Sequence, residues 1–252
     1  SSSTFNTAVG YNAGNDVTTG IQNVLIGGLA GDALTDADLN VAIGMEALTS
    51  DTLGSRSTAV GYNALAVQNF TTATNTYNTA LGFQAGSAVT TGVQNTLIGG
   101  LAGDALQDAD QNVAIGYAAL TADTLGSKSI AIGREALVTQ NFTTATDVYN
   151  VAVGHNAGQA VTTGKFNTLI GGLAGDAITT AVRNVAVGYE ALSSTTLGDY
   201  SVAIDDGALK TQNFTTATNA YNVAVGASAG TAVTTGVENV FIGGLCGDAT
   251  DD

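Results

Sequence analysis

Asn40-Val41-Ala42-Ile43-Gly44 decides the fold, because the same five-residue phrase returns along the whole chain. It reads Asn6-Thr7-Ala8-Val9-Gly10, then Asn23-Val24-Leu25-Ile26-Gly27, Ser57-Thr58-Ala59-Val60-Gly61 and Asn78-Thr79-Ala80-Leu81-Gly82. Successive openings lie 17, 17, 17 and 21 residues apart, so a larger block of 72 residues starts again at Asn78, Asn150 and Asn222. Three full blocks (6–77, 78–149, 150–221) and a partial fourth (222–252) hold fourteen phrases. Eleven open on Asn and three on Ser (Ser57, Ser129, Ser201); thirteen close on Gly, Asp205 being the exception.

So short a unit has no private core and must bury its apolar face against its neighbours, which is how solenoids are built. Within the phrase the second residue is Thr, Val or Ile and the fourth Val, Ile or Leu, and strand alternation places both on one face. The third residue faces the other way; it is Ala in ten copies and Leu25, Leu97, Leu169 or Phe241 in the second phrase of each block. With both faces apolar, the strands read as parallel and covered on two sides, one cover being the coil's interior and the other either a neighbouring chain or, Ala being small, partial exposure to solvent. The opening Asn is expected to form an amide ladder from coil to coil, and the closing Gly to serve a turn of positive φ or a close backbone approach. At about 4.8 Å per parallel neighbour, fourteen coils predict a rod on the order of 65 Å long.

Composition agrees with an all-β reading. The 252 residues include 33 Gly, no Pro and no Trp, 44% are apolar and only 11% charged. Gly and β-branched residues make poor helices but serve strands and turns. The net charge of −15 disfavours nucleic acid and anionic lipid as partners. A lone cysteine, Cys246, excludes an internal disulfide framework. No apolar run approaches the length of a membrane span, so membrane insertion is not expected. The first residues, Ser1 to Phe5, do not read as a signal peptide. The expectation is a single repeat domain over residues 1–252, cut from a longer fibre.

The phrase N-x-A-[IV]-G followed by small polar residues resembles the head repeats of trimeric autotransporter adhesins. The runs TTGIQNVLIGGLAG (Thr18 to Gly31) and TTGVQNTLIGGLAG (Thr90 to Gly103) resemble repeats of phage tail-fibre proteins. The resemblance covers essentially the whole chain. It implies a left-handed parallel β-solenoid or β-roll, an intertwined or side-by-side homotrimer, and a role in attachment on a virion tail fibre or another extracellular surface. The 17-residue coil is longer than the adhesin-head coil, and a 21-residue coil interrupts every fourth turn.

That long coil is where binding is expected. Its extra residues fall in QNFTTATNTYN from Gln68, QNFTTATDVYN from Gln140 and QNFTTATNAYN from Gln212. Each repeat predicts a protruding loop with an aromatic at either end: Phe70 and Tyr77, Phe142 and Tyr149, Phe214 and Tyr221. Such rings either meet sugar faces of a host glycan or an outer-membrane receptor, or fold back and pack the loop.

Other chemistry is less supported. GGLAGDA at Gly27, Gly99 and Gly171, with GGLCGDA at Gly243, places Asp32, Asp104, Asp176 and Asp248 in glycine-rich turns where Ca²⁺ is a weak possibility. A lone carboxylate makes a poor site, and the neighbouring pairs Asp36/Asp38 and Asp108/Asp110 give way to Thr180 and Val182 in the third block. The one histidine, His155, occupies a position held elsewhere by Tyr11, Tyr62, Tyr117 and Tyr189. One His and one Cys in different blocks supply neither a nucleophile–base pair nor a zinc site. The function expected is therefore non-enzymatic: a receptor-binding fibre, or alternatively an adhesin head or an architectural filament, with a polysaccharide-degrading tailspike as the minor alternative.

Overall fold

The computed structural model describes residues 4–249, and among them there is no helix. Compaction divides the chain into two units, one running to Ser127 and including Thr143–Thr146, the other formed by Lys128–Phe142 and the chain from Asp147 onward. Each unit carries seven three-residue strands, one per phrase. In the first they are Thr7–Val9, Val24–Ile26, Val41–Ile43, Thr58–Val60, Thr79–Leu81, Thr96–Ile98 and Val113–Ile115. In the second they are Ile130–Ile132, Val151–Val153, Thr168–Ile170, Val185–Val187, Val202–Ile204, Val223–Val225 and Val240–Ile242. Within each unit every strand pairs in parallel with that of the next coil, second residue to second and third to third. The register absorbs the 21-residue coils without a slip: Thr58 faces Thr79, and Val202 faces Val223. The fold is a parallel β-solenoid of about fourteen turns.

The third residue of the phrase is the one that points inward. Ala42, Ala59, Ala114, Leu97 and Leu169 are fully buried, whereas the flanking second and fourth residues are half-buried or exposed. Both faces of the strand are apolar, but only one belongs to the core of the chain.

The opening asparagines form the recurring polar element of the interior. Asn23, Asn40, Asn95, Asn167 and Asn184 are fully buried. Each makes two kinds of bond. The Nδ2 of Asn23 donates to the Ala37 carbonyl, fourteen residues on and so in the same coil (2.8 Å), while its Oδ1 accepts the backbone N–H of Asn40 in the next coil (2.9 Å). The pattern repeats at Asn40, Asn95, Asn167 and Asn184. The direct amide-to-amide contact is the longer one, 3.4 Å from Asn95 Nδ2 to Asn78 Oδ1. The amide aims its N–H at its own coil's carbonyl, so the ladder runs through side chain and backbone alternately.

The closing glycine is required twice over. Gly99 has φ +131, and a Cβ there would stand 2.5 Å from the Gly116 carbonyl oxygen of the next coil. The same approach recurs at Gly10, Gly27, Gly44 and Gly61 in the first unit and at Gly154 and Gly171 in the second. At these positions glycine supplies both the backbone angle and the space, whereas Asp205 closes its phrase at φ +96.

The bulky second phrase of each block has a packing cause. Eight residues after the phrase opens, the chain turns through a left-handed residue. In the first two coils of a block that residue is Gly; in the third and fourth it is Leu (Leu48 and Leu65, Leu120 and Leu137, Leu192 and Leu209). Leu97 fills the space that two glycines leave: a Cβ on Gly86 would lie 2.6 Å, and one on Gly103 2.7 Å, from its methyl groups. Leu169 does the same for Gly158 and Gly175, both at 2.7 Å. In the third and fourth coils, where the phrase carries Ala, the turn leucine occupies the core instead: Ala114 goes with Leu120, both fully buried.

Leu97→Ala is therefore expected to cost about 2–5 kcal/mol in denaturant unfolding, because both glycine turns then face a cavity. Leu97→Ala combined with Gly103→Leu, the pairing used by the following coil, should recover part of that loss. A double variant no more stable than Leu97→Ala contradicts the exchange of volume.

Candidate functional site

The fourth coil of each block departs from the 17-residue pattern around a buried glutamine. Gln68 is fully enclosed; its Nε2 donates to Asp51 Oδ2 (2.5 Å) and Ser57 Oγ (2.9 Å), and its Oε1 accepts from Asn78 Nδ2 (2.8 Å). Ser57 Oγ also meets Thr76 Oγ1 at 2.6 Å. Ser stands where other coils have Asn because the glutamine side chain has taken the amide's place in the ladder. Gln140 with Ser129 and Asn150 repeats the arrangement, and so does Gln212 with Ser201 and Asn222.

Phe70, Phe142 and Phe214 follow the glutamine into the interior and are only 7%, 7% and 5% exposed. Phe214 packs over Gly198, where a Cβ would lie 2.8 Å from the ring. These rings close the long coil and offer no face to a ligand. The residues after each phenylalanine, Thr71-Thr72-Ala73 in the first block, are exposed. The chain then returns to the sheet, Thr74–Asn75 pairing with Gly54–Ser55.

The tyrosines at the far end of each loop lie outside. Tyr77, Tyr149 and Tyr221 are 52%, 48% and 48% exposed, and each adopts a left-handed backbone just before the next phrase. Cations and rings flank them. The Arg56 guanidinium lies 5.9 Å from the Tyr77 ring and its Nε donates to Asn75 Oδ1 (2.9 Å). Lys128 Nζ lies 5.3 Å from the Tyr149 ring and pairs with Asp147 (2.5 Å). Tyr200 stacks on Tyr221 with centroids 5.1 Å apart. The structure thus separates each predicted aromatic pair into one ring for packing and one available for contact.

The glycine-rich turns place their aspartates against the next coil. Thr49 Oγ1 donates to Asp32 Oδ1 (2.5 Å), and Thr121 donates to Asp104. In the third block Ser193 stands in the threonine's place, and Asp176 Oδ1 is buried without a hydrogen-bond partner. Asp248 is exposed. Asp38 and Asp110 accept the backbone N–H groups of Ile21 and Val93, each at 2.8 Å, so these carboxylates have structural work. No group of three His, Cys, Asp or Glu that could hold a metal occurs among the described residues.

His155 is exposed, with Nε2 3.4 Å from Arg134 Nη1, and Cys246 is a free, exposed thiol. The position after the closing glycine, which His155 occupies in the second unit, carries aromatic rings in four coils of the first. Tyr11, Phe83 and Tyr117 are exposed, and Tyr62 stacks on Phe83 with centroids 5.5 Å apart. Reading the sequence at every 17th or 21st residue, across coils, is the signal that reveals such rows. Comparison with protein-family models, with curated proteins and with solved structures finds no match for this chain.

Burial pushes the Asp51 carboxyl above the usual carboxylate range, against hydrogen bonds from Gln68, Phe70, Gly54 and Thr52 that pull it down. A folded-state value above the unfolded one means the folded chain holds the proton more tightly. The stability this confers is fully present below the unfolded value and is lost as pH rises through the folded one. The third block has Thr195 at this place, its Oγ1 accepting from Nε2 of Gln212, the counterpart of Gln68. Asp51→Thr should therefore remove this pH dependence. Thermal unfolding at pH 4 and pH 7 is expected to show the difference between wild type and variant moving in favour of wild type at pH 4. A difference that is flat, or that moves the other way, contradicts the assignment.

Proposed function

We propose that this chain is a non-enzymatic segment of a phage tail fibre, assembled as a homotrimer, that attaches the particle to a glycan or outer-membrane receptor on the host surface. One observation carries the assembly. In each unit the second and fourth residues of the phrase form a two-residue-wide outer face of Val, Ile, Thr and Leu in strict register. Ile26, Leu81, Ile170 and Ile204 on it are 36%, 47%, 39% and 36% exposed. Parallel sheets bury both faces in folded proteins, and copies of the same chain offer the matching apolar, regularly spaced surface. Trimer formation repeats every exposed tyrosine threefold, so weak individual contacts gain from effective concentration.

Burial of Phe70, Phe142 and Phe214 favours a second reading, a purely architectural shaft whose long coils are closed packing devices and whose recognition lies elsewhere in the fibre. An adhesin head with the same solenoid would share the trimer and differ in its setting.

Light scattering should give about three times the chain mass of 24.9 kDa. Ile170→Lys, a half-exposed position on the outer face, should shift the population to monomer with its circular dichroism unchanged. A wild-type monomer overturns the assembly. Replacing Tyr77, Tyr149 and Tyr221 together by Ser should abolish retention on host cells in the receptor-binding reading, whereas a wild-type chain that host cells do not retain favours the architectural one.

A further inference from the structure

The residue just before each phrase recurs once per coil in a left-handed conformation at the corner where the coil enters its strand, and it is exposed except at Lys128 and Tyr200, which are half-buried. In the first unit this row runs Phe5, Gln22, Leu39, Arg56, Tyr77, Gln94, Gln111 and ends in a side-chain amide bond, Gln111 Nε2 to Gln94 Oε1 at 2.9 Å. In the second unit it runs Lys128, Tyr149, Phe166, Arg183, Tyr200, Tyr221, Glu238, each cation followed by two rings and the last pair by an acid.

The members of the second row touch in sequence. Lys128 Nζ is 5.3 Å from the Tyr149 ring, and Tyr149 stacks on Phe166 with centroids 5.9 Å apart and planes 14° from parallel. The Arg183 guanidinium lies between Phe166 and Tyr200, 5.1 Å from one ring and 5.4 Å from the other, and its Nη1 donates to Tyr200 Oη (3.0 Å). Lys165 Nζ adds a second cation 5.9 Å from Phe166. Tyr200 then stacks on Tyr221. Lys128 is paired with Asp147, and Glu238 closes the far end, but Lys165 and Arg183 form no ion pair among the described residues. Of the six bases in the chain, three lie in or beside this row, within a protein of net charge −15.

We infer that this row of the second unit is a binding stripe for a polysaccharide in which acidic sugars alternate with neutral ones. Phe166, Tyr200 and Tyr221 cover one another's faces along the row, with Arg183 between two of them, so they meet a sugar through their outer edges, the Tyr200 and Tyr221 hydroxyls donating to hydroxyls of the neutral sugars. Arg183, held flat between two rings, presents the remaining N–H donors of its planar fork to a sugar carboxylate, with Lys165 as a second charge. Rungs recur at the inter-strand spacing of about 4.8 Å, comparable to the length of one sugar ring. Screening over about 8–10 Å at physiological salt confines recognition to these local cations. A densely charged polymer must also run along the acidic remainder of the chain and is repelled by it; spaced carboxylates avoid that cost. The inference rests on the attachment reading above and narrows it to one ligand class and one row of residues.

The test uses the full chain in affinity electrophoresis through gels containing hyaluronan (alternating acidic and neutral sugars), dextran (neutral) or heparin (densely charged). Hyaluronan should retard the protein in a salt-sensitive way, and neither dextran nor heparin should match it. Arg183→Gln and Lys165→Gln together should weaken that retardation at least tenfold without lowering the thermal midpoint, while Arg56→Gln in the first unit leaves it unchanged. Retardation by hyaluronan that survives the double substitution, or that dextran or heparin equals, overturns the inference and leaves the attachment reading standing. If neither these polysaccharides nor host cells retain the protein, both fall.

Discussion

A buried asparagine amide ties each coil to itself and to its successor, and the rest of the solenoid depends on that double use. The Nδ2 group closes a coil across fourteen residues, and the Oδ1 atom receives the backbone N–H seventeen residues on. The two bonds together fix coil length and the register of the following strand. An unsatisfied buried amide or carbonyl costs roughly 1–3 kcal/mol, so a coil of different length is penalised at every rung unless another polar group arrives. That happens only in the 21-residue coils, where Gln68, Gln140 and Gln212 bring an amide inward and Asn yields to Ser at the opening position. The closing glycine completes the constraint by letting successive backbones approach within a distance that a Cβ forbids.

Volume is traded between two places in the coil to keep the core filled. Leucine in the phrase is paired with glycine at the turn eight residues after the phrase opens, and alanine in the third and fourth phrases with leucine there. The 72-residue block is thus a packing period laid over the 17-residue hydrogen-bonding period. It need not mark a binding period, since its two most conspicuous features, the bulky second phrase and the phenylalanine of the long coil, both lie inside.

Strand, register and solenoid architecture were legible in the sequence because they follow from the spacing of one five-residue phrase. The inward direction of the third residue was not, because Ala, Val and Ile are all acceptable on either face of a strand covered twice. Phe70 and Tyr77 look alike as loop aromatics; what separates them is Gln68, whose buried bonds draw the chain inward just before Phe70, whereas Tyr77 takes a left-handed corner that turns its ring out. The row from Lys128 to Tyr221 escaped a linear reading for another reason. Its members stand 17 or 21 residues apart and become neighbours only when coils stack, so their chemistry appears after the register is known.

The functional reading draws on the surfaces this register creates: an outer apolar face suited to self-assembly, and exposed corner rows whose side chains are set one per coil. All of them depend on the asparagine ladder, so the most direct measurement is the unfolding free energy of Asn95→Ala against Gln94→Ala, its exposed neighbour. Loss of the Asn95 side chain leaves the Asn112 N–H and the Ala109 carbonyl without their partner, and the account predicts a loss of about 2–5 kcal/mol. Gln94→Ala should stay within about 0.5 kcal/mol of wild type. Equal, small effects at the two positions would contradict the ladder as the element that sets the coil.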